Sequence, residues 1–172
     1  MLGAFLTDPL LVSPPAPPGP VPGPPPPTPA GLSALGFLVG GTWVAQVTLG
    51  PAKLTLEESC RWDLDGAFIA TLATRSGQGP QLHAQGYFGW DPVGSRLLSW
   101  SFESNGSEVS GQGAPAPGPD TWVFLTTVGG PTPAQGRTTL HHAAPDELTI
   151  FYERLSNGVY IPVITAHYLR RA

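Results

Sequence analysis

The chain has 172 residues, a formal net charge of −4 and one cysteine. Its length fits one domain, and its eight basic residues are too thinly spread to form the patch that nucleic acid requires. With Cys60 alone, neither an internal disulfide nor a cysteine-based zinc site is available. No apolar run approaches the length of a membrane span. Composition therefore argues against nucleic acid and a membrane span.

The first part of the chain is rich in proline, above all across residues 14–29. Proline fixes φ and lacks an N–H group, so this stretch favours extended polyproline II over helix or sheet. We predict a disordered Pro-rich tail or linker over residues 1–34 and a folded domain over residues 35–172. Composition leaves open whether the tail is a spacer, a tether or a ligand for an SH3-type or WW-type groove.

The N-terminus also bears on localisation. Residues 1–6 lack the basic region of a secretory signal. We therefore expect a cytoplasmic protein, or an exported one if the true start lies upstream.

Further along, the apolar spacing of Leu35, Leu38 and Val39 suits one or two helical turns that close the end of a barrel.

From Gly41 onward, strand-like segments alternate with turn-forming residues. The predicted strands are 42–49, 53–62, 66–75, 81–90, 95–103, 107–113, 120–128, 135–143, 147–154 and 161–170. Short connections join antiparallel neighbours, because parallel pairs need crossovers of about a dozen residues. We predict an all-β, antiparallel up-and-down (meander) barrel of about ten strands, whose interior holds side chains or one small ligand.

Four stretches carry a family resemblance: residues 38–43, 57–68, 86–93 and 99–106. Together they resemble bacterial lipocalin-like (calycin-type) domains of unknown function, of the kind sometimes fused to SnoaL-like domains. The resemblance covers roughly residues 35–171 and implies a calycin-type barrel, but such families have no agreed reaction. A Pro-rich tail stands where the fused domain would be, so no activity of that domain is implied.

The Gly41-Thr42-Trp43 motif is the Gly-x-Trp of lipocalins, in which the tryptophan closes one barrel end. The same start is similar to the haem-binding nitrobindin barrels, which carry an axial histidine in the last strand. Val163 stands at the corresponding position here. The resemblance therefore implies no haem site, and we expect no cofactor.

Two predicted strands carry charged residues on apolar faces. Glu58 shares a face with Cys60 and Trp62, so it either points into the lumen or bends out at its mouth. Tyr152 and Arg154 share a face, a pair suited to gripping a carboxylate, as a similar pair does in fatty-acid-binding barrels. Alternatively, Glu58 and Arg154 satisfy each other or solvent.

The remaining candidates are aromatic, aliphatic or histidine residues. Leu98, Trp100 and Phe102 recur at a spacing of two, and we predict that they wall the lumen. Adjacent His141 and His142 point to opposite faces of a strand, so they cannot share a metal ion, and we expect no metal site. The predicted ligand-binding residues are Glu58, Trp62, Leu98, Trp100, Phe102, Phe124, Ile150, Tyr152, Arg154 and His167.

These patterns favour a non-catalytic container, monomeric or homodimeric, for a small hydrophobic or amphipathic molecule. No catalytic motif is present. The rival hypothesis is an enzyme of the isomerase or cyclase type, with Glu58 and a histidine doing general acid–base work in the lumen. A third hypothesis is an accessory module whose tail binds a partner.

Overall fold

A computed structural model gives the structure of the chain and describes residues 30–130 and 133–171. Most of the predicted Pro-rich tail lies outside these residues. Helix α1 (Ala30–Ser33) and a 3₁₀ turn (Gly36–Leu38) precede the sheet. The strands are β1 (Thr42–Leu49), β2 (Ala52–Asp63), β3 (Phe68–Gly77), β4 (Leu82–Asp91), β5 (Arg96–Glu103), β6 (Glu108–Pro115), β7 (Thr121–Gly129), β8 (Ala134–Ala144), β9 (Glu147–Ser156) and β10 (Val159–Arg171).

Each strand pairs antiparallel with the next, and β10 pairs with β1 to close the barrel. This topology confirms the predicted ten-stranded meander. Closure satisfies the edges that an open sheet would expose. In the part of the chain that the structure describes, no helix is long and apolar enough to cross a membrane.

Turn residues behave as their chemistry requires. After β4, the Asp91 carboxylate accepts the N–H groups of Val93 and Gly94, both at 3.0 Å. These contacts and the nearby Arg96 hold the pKa of Asp91 below its usual value. After β5, Gly106 adopts a φ of 86°, which glycine tolerates without strain. Both turns lie where the Asp-Pro and Asn-Gly pairs predict them.

One end of the barrel is filled by residues 30–40, which we call the plug. Leu32 and Leu35 are fully buried in the core, although Leu32 belongs to the predicted linker. The Phe37 ring stacks on Trp122 and His142, with centroids 5.2 and 4.1 Å apart. The predicted helical closure of this end is therefore confirmed.

Trp43 holds the plug against the first strand. It is 1% exposed, and its indole Nε1 donates to the Leu38 carbonyl at 2.9 Å. The Arg170 guanidinium lies 4.4 Å from the Trp43 ring centroid and donates to the carbonyls of Phe37 and Val39. The Gly-x-Trp motif thus closes a barrel end, as predicted.

Candidate functional site

Below the plug, the barrel interior contains a cavity of about 290 Å³. Its lining comes from the strands β2 to β9 and from Leu38 at the tip of the plug. The aliphatic and aromatic lining residues are Leu38, Ala73, Ala84, Tyr87, Phe88, Trp100, Val109, Phe124, Leu140, Leu148 and Ile150. The polar lining residues are Glu58, Thr71, Ser99, Ser101, Glu103, Thr126 and Thr138. A concave, mostly apolar space with a few converging polar groups is the usual form of a small-molecule site.

Strand β5 shows how the cavity arises. Leu97 is 1% exposed in the core, and the next inward residues on the strand are Ser99, Ser101 and Glu103. Alternation keeps these four side chains on the inner face. Because the serines are small, the space that larger side chains would fill stays open. Small, hydroxyl-bearing side chains therefore form much of the cavity wall.

Glu58 points inward from β2, directly opposite Trp43 on β1 and Ala73 on β3. Its side chain lines the cavity and keeps part of its surface accessible there, while the surrounding protein shields the carboxyl from bulk water. This burial raises the pKa of Glu58 from 4.5 to about 7. A weak hydrogen bond from Cys60 Sγ to Oε1, 3.9 Å long, opposes the rise in pKa only in part.

Two further titratable groups lie close to Glu58. Burial raises the pKa of the Cys60 thiol, and the Glu58 charge adds to that rise. Burial also raises the pKa of the Tyr168 hydroxyl on β10, again with a contribution from Glu58. Both groups therefore stay protonated at neutral pH, and Glu58 is the one member of this cluster that changes charge near pH 7.

Ion pairs among the described residues do not reach Glu58. They join Asp91 to Arg96, Glu153 to Arg137 and Asp146 to Arg170. Glu58 and Arg154 form no such pair, so the suggestion that they satisfy each other is wrong. The Glu58 carboxyl thus has a weak thiol donor and no compensating cation within the described chain.

Thr126 is a second polar group without a full set of partners. The residue is 6% exposed and lines the cavity from β7. Its Oγ1 is buried and has no hydrogen-bond partner among the described residues. Leaving a buried hydroxyl unpaired costs free energy, so this atom lowers the stability of the cavity wall.

Several predicted site residues do lie inside the barrel. Glu58, Phe124 and Ile150 line the cavity. Trp62 packs on the core at the plug end, next to Gly36, and does not line the cavity. Its place is therefore structural.

Tyr152 and Arg154 share one face of β9, as predicted, but neither lines the cavity. Tyr152 packs against Gly136, and burial raises the pKa of its hydroxyl, with the charge of Arg154 acting in the opposite direction. Arg154 is exposed, toward the end of the barrel away from the plug. The predicted carboxylate grip thus lies outside the main cavity.

The prediction that Leu98, Trp100 and Phe102 wall the lumen is wrong for Leu98 and Phe102, whereas Trp100 is among the residues that line the cavity. Phe102 is 54% exposed, and Trp100 lies with it in an outer apolar depression together with Leu64, Phe68 and Tyr87. Trp100 thus borders both the cavity and this depression, while Ser99 and Ser101 turn inward on either side of it. The rings of Phe88 and Phe124, with centroids 5.7 Å apart, occupy part of the barrel interior beside β5.

His167 is also on the outer face. Ala166 and Tyr168, 3% and 8% exposed, take the inward positions of β10. His167 is exposed, and its Nδ1 lies 3.0 Å from Thr149 Oγ1 on the neighbouring strand. Because side chains alternate along the strand, His167 points outward and cannot contact a ligand inside the barrel.

The adjacent histidines of β8 do separate as predicted. His141 lies 3.0 Å from Thr121 Oγ1, whereas His142 packs on Phe37 in the plug. Among the described residues, no group of three or more His, Cys, Asp or Glu side chains is placed to hold a metal ion.

The residues that sequence reasoning missed are mainly the hydroxyl groups of the cavity wall. Ser99, Ser101, Thr126 and Thr138 were assigned no role, because polar residues that alternate with apolar ones usually face water. Leu97 was the available clue, since it continues the inward face of β5 that the serines belong to.

Comparison with family models and with curated proteins gives no match. Among solved structures, the chain is similar to the crystal structure of Rv2717c from M. tuberculosis, with a TM-score of 0.62 and 14% sequence identity. The match covers 84% of this chain and 99% of that one. At this identity the similarity concerns the barrel fold alone.

Proposed function

We propose that the barrel binds a small, partly apolar molecule in its internal cavity, without catalysis. The observation that carries this proposal is the cavity of about 290 Å³. Its aromatic and aliphatic wall offers apolar contact, and its carboxyl and hydroxyl groups offer orientation.

The cavity volume limits the ligand. Ligand pockets commonly span about 300–1,000 Å³, so this one is at the small end of the range. A compound with one or two rings, or a short branched chain, fits better than a long acyl chain. The displacement of Arg154 and Tyr152 from the lining also removes the grip that a fatty-acid carboxylate would use.

Native mass spectrometry of the purified full chain, followed by a thermal-shift screen of small aromatic and aliphatic compounds, tests the proposal. Ala84→Leu fills the cavity from β4, and Gln85→Leu adds a side chain of equal size at the exposed neighbouring position. We expect Ala84→Leu to weaken binding of any compound found at least tenfold and Gln85→Leu to leave it unchanged. If no compound binds, or if the two variants behave alike, the cavity is not a binding site.

A second candidate function, general acid–base catalysis, is favoured by one observation. The pKa of Glu58 is about 7, which suits proton transfer at neutral pH. An isomerase or cyclase would convert its bound compound without a change in mass. Incubation of each bound compound with catalytic amounts of protein, followed by chromatography, distinguishes the two functions. Product formation that Glu58→Gln abolishes while it retains binding would favour the enzyme, and recovery of unchanged compound favours the container.

A further inference from the structure

Charge in the cavity has one sign. Of the lining residues of charged type, Glu58 and Glu103 are acidic, and no Arg, Lys or His is among them. Glu103 is partly buried and accepts the Asn105 side-chain N–H at 3.1 Å. An adjoining pocket of about 180 Å³ shares Glu103 with the cavity and is lined by Arg75 and His83. Basic residues therefore lie near Glu103, whereas none lines the cavity that holds Glu58.

Arg170 on β10, whose charge acts on the Cys60 thiol, makes its contacts with other groups. Arg170 donates to the carbonyls of the plug, stacks on Trp43 and pairs with Asp146 at 3.4 Å. Its guanidinium therefore faces the plug. Arg154, at the other end of the barrel, is exposed and lines no part of the cavity.

Two polar groups of the wall are incompletely paired. Glu58 receives only the 3.9 Å thiol contact, and Thr126 Oγ1 has no partner among the described residues. An ionised carboxyl shielded from water is stabilised most by a cation that also donates hydrogen bonds. The cavity is thus short of positive charge beside Glu58, and it has apolar surface next to that carboxyl.

We propose that the ligand is a small, partly apolar amine whose protonated nitrogen pairs with Glu58 while its apolar body packs on Phe88, Phe124 and Ile150. This inference rests on the proposed function of the cavity as a binding site. The ammonium group donates to the Glu58 carboxylate and to hydroxyl oxygens of the wall. A carboxylate ligand would instead add a third negative charge, and a neutral alcohol would leave the Glu58 charge uncompensated.

Matched triplets of compounds test the proposal directly. Each triplet carries an amine, an alcohol or a carboxylate on the same apolar body, from benzyl to naphthylmethyl, and binding to the full chain is measured by calorimetry at pH 7.5. We expect each binding amine to exceed its alcohol and carboxylate at least tenfold in affinity. Equal or tighter binding of alcohols or carboxylates overturns the amine and leaves the proposed binding function standing. No binding by any member overturns both.

The Glu58→Gln variant tests whether the amine pairs with this carboxylate. It should lower amine affinity at least tenfold and change alcohol affinity less than threefold, since only the charge is removed. Glu57→Gln removes an exposed carboxyl from the same strand and should change neither affinity. Unchanged amine binding in Glu58→Gln assigns the nitrogen to another group and overturns the proposal.

The pH dependence of the unmodified protein gives a readout that needs no variant. Cys60 on β2 and Tyr168 on β10 face Glu58, and the charge of Arg170 acts on the Cys60 thiol. Glu103 lies across the cavity, with Arg75 and His83 in the adjoining pocket, and β1 and β3 place the non-titrating Trp43 and Ala73 opposite Glu58. Amine affinity should rise at least fivefold from pH 5.5 to pH 8 as Glu58 ionises, and alcohol affinity should stay flat. A flat amine profile contradicts the pairing with Glu58.

Discussion

The two halves of the barrel interior differ in the size and polarity of their side chains. Near the plug, the inward positions of β5 and β7 hold Leu97 and Trp122; further along the same strands they hold Ser101 and Thr126. The backbone pattern is the same in both halves. Packing and binding capacity are thus separated along each strand, since large apolar residues fill one half and small polar ones leave the other open.

The largest expected difference between the halves is in the stability of the plug end. Trp43→Ala removes the buried ring, its hydrogen bond to Leu38 and the surface on which Arg170 stacks. We expect the free energy of unfolding to fall by about 3–5 kcal/mol, as for other buried large-to-small substitutions. Urea denaturation followed by circular dichroism measures this loss.

Phe102→Ala is the matched control on the outer face, where the ring is 54% exposed. We expect a change within about 0.5 kcal/mol, the usual range for a surface substitution. Comparable losses in the two variants would show that the packed end does not carry the stability assigned to it.

The next effect concerns the cavity half and its pH dependence. The folded-state pKa of Glu58, about 7, exceeds its unfolded value of 4.5, so the folded protein binds the extra proton between these pH values. Stability should therefore fall as pH rises from 4.5 to 7 and then level off, with a total loss on the order of 3 kcal/mol. Glu58→Gln removes this loss, so its stability relative to the unmodified protein should increase across that window.

Urea denaturation at intervals from pH 4.5 to 8, without ligand, tests this expectation. Glu57→Gln, an exposed carboxyl one residue away, controls for the loss of a charge. Parallel pH profiles for the unmodified protein and Glu58→Gln would contradict the burial of the Glu58 carboxyl.

The smallest effect comes from the unpaired hydroxyl of Thr126. Thr126→Val replaces a buried, partnerless Oγ1 by a methyl group and should raise the free energy of unfolding by about 1 kcal/mol. Thr127→Val, at the exposed next position, should change it by less than about 0.5 kcal/mol. A clear loss of stability in Thr126→Val, measured by thermal unfolding, would mean that the hydroxyl has a bonding partner.

Much of the fold was predictable from local chemistry. Turn residues such as Asp91 and Gly106 separated the strands correctly, and short connections required an antiparallel meander. The pattern also put Glu58 on the same face as Leu54 and Cys60, which the core buries, and of the two alternatives for its side chain the structure has the inward one. Both inferences depend on patterns within one strand or one hairpin.

The inner face of β5 was not predictable in the same way. Trp100 and Phe102 form the more apolar face, yet they cover the outer wall with Phe68, while Leu97 and two serines face inward. Which face of β5 is buried depends on what packs against it from other strands, and the rings of Phe88 and Phe124 already take up space inside the barrel. His167 was misplaced for the same reason, since Ala166 and Tyr168 fill the space inside β10.

The contacts of Arg170 bear on the order in which the barrel is completed as the chain is made. Arg170 binds the carbonyls of Val39 and Gly40 across 131 and 130 residues of sequence. Its strand meets β1 over only four residue pairs, the shortest register in the barrel. Until the last strand is synthesised, β1 therefore keeps an open edge and the plug lacks its clamp. Joining such distant segments is entropically costly, so we expect the β1–β10 seam to close last and to limit the folding rate.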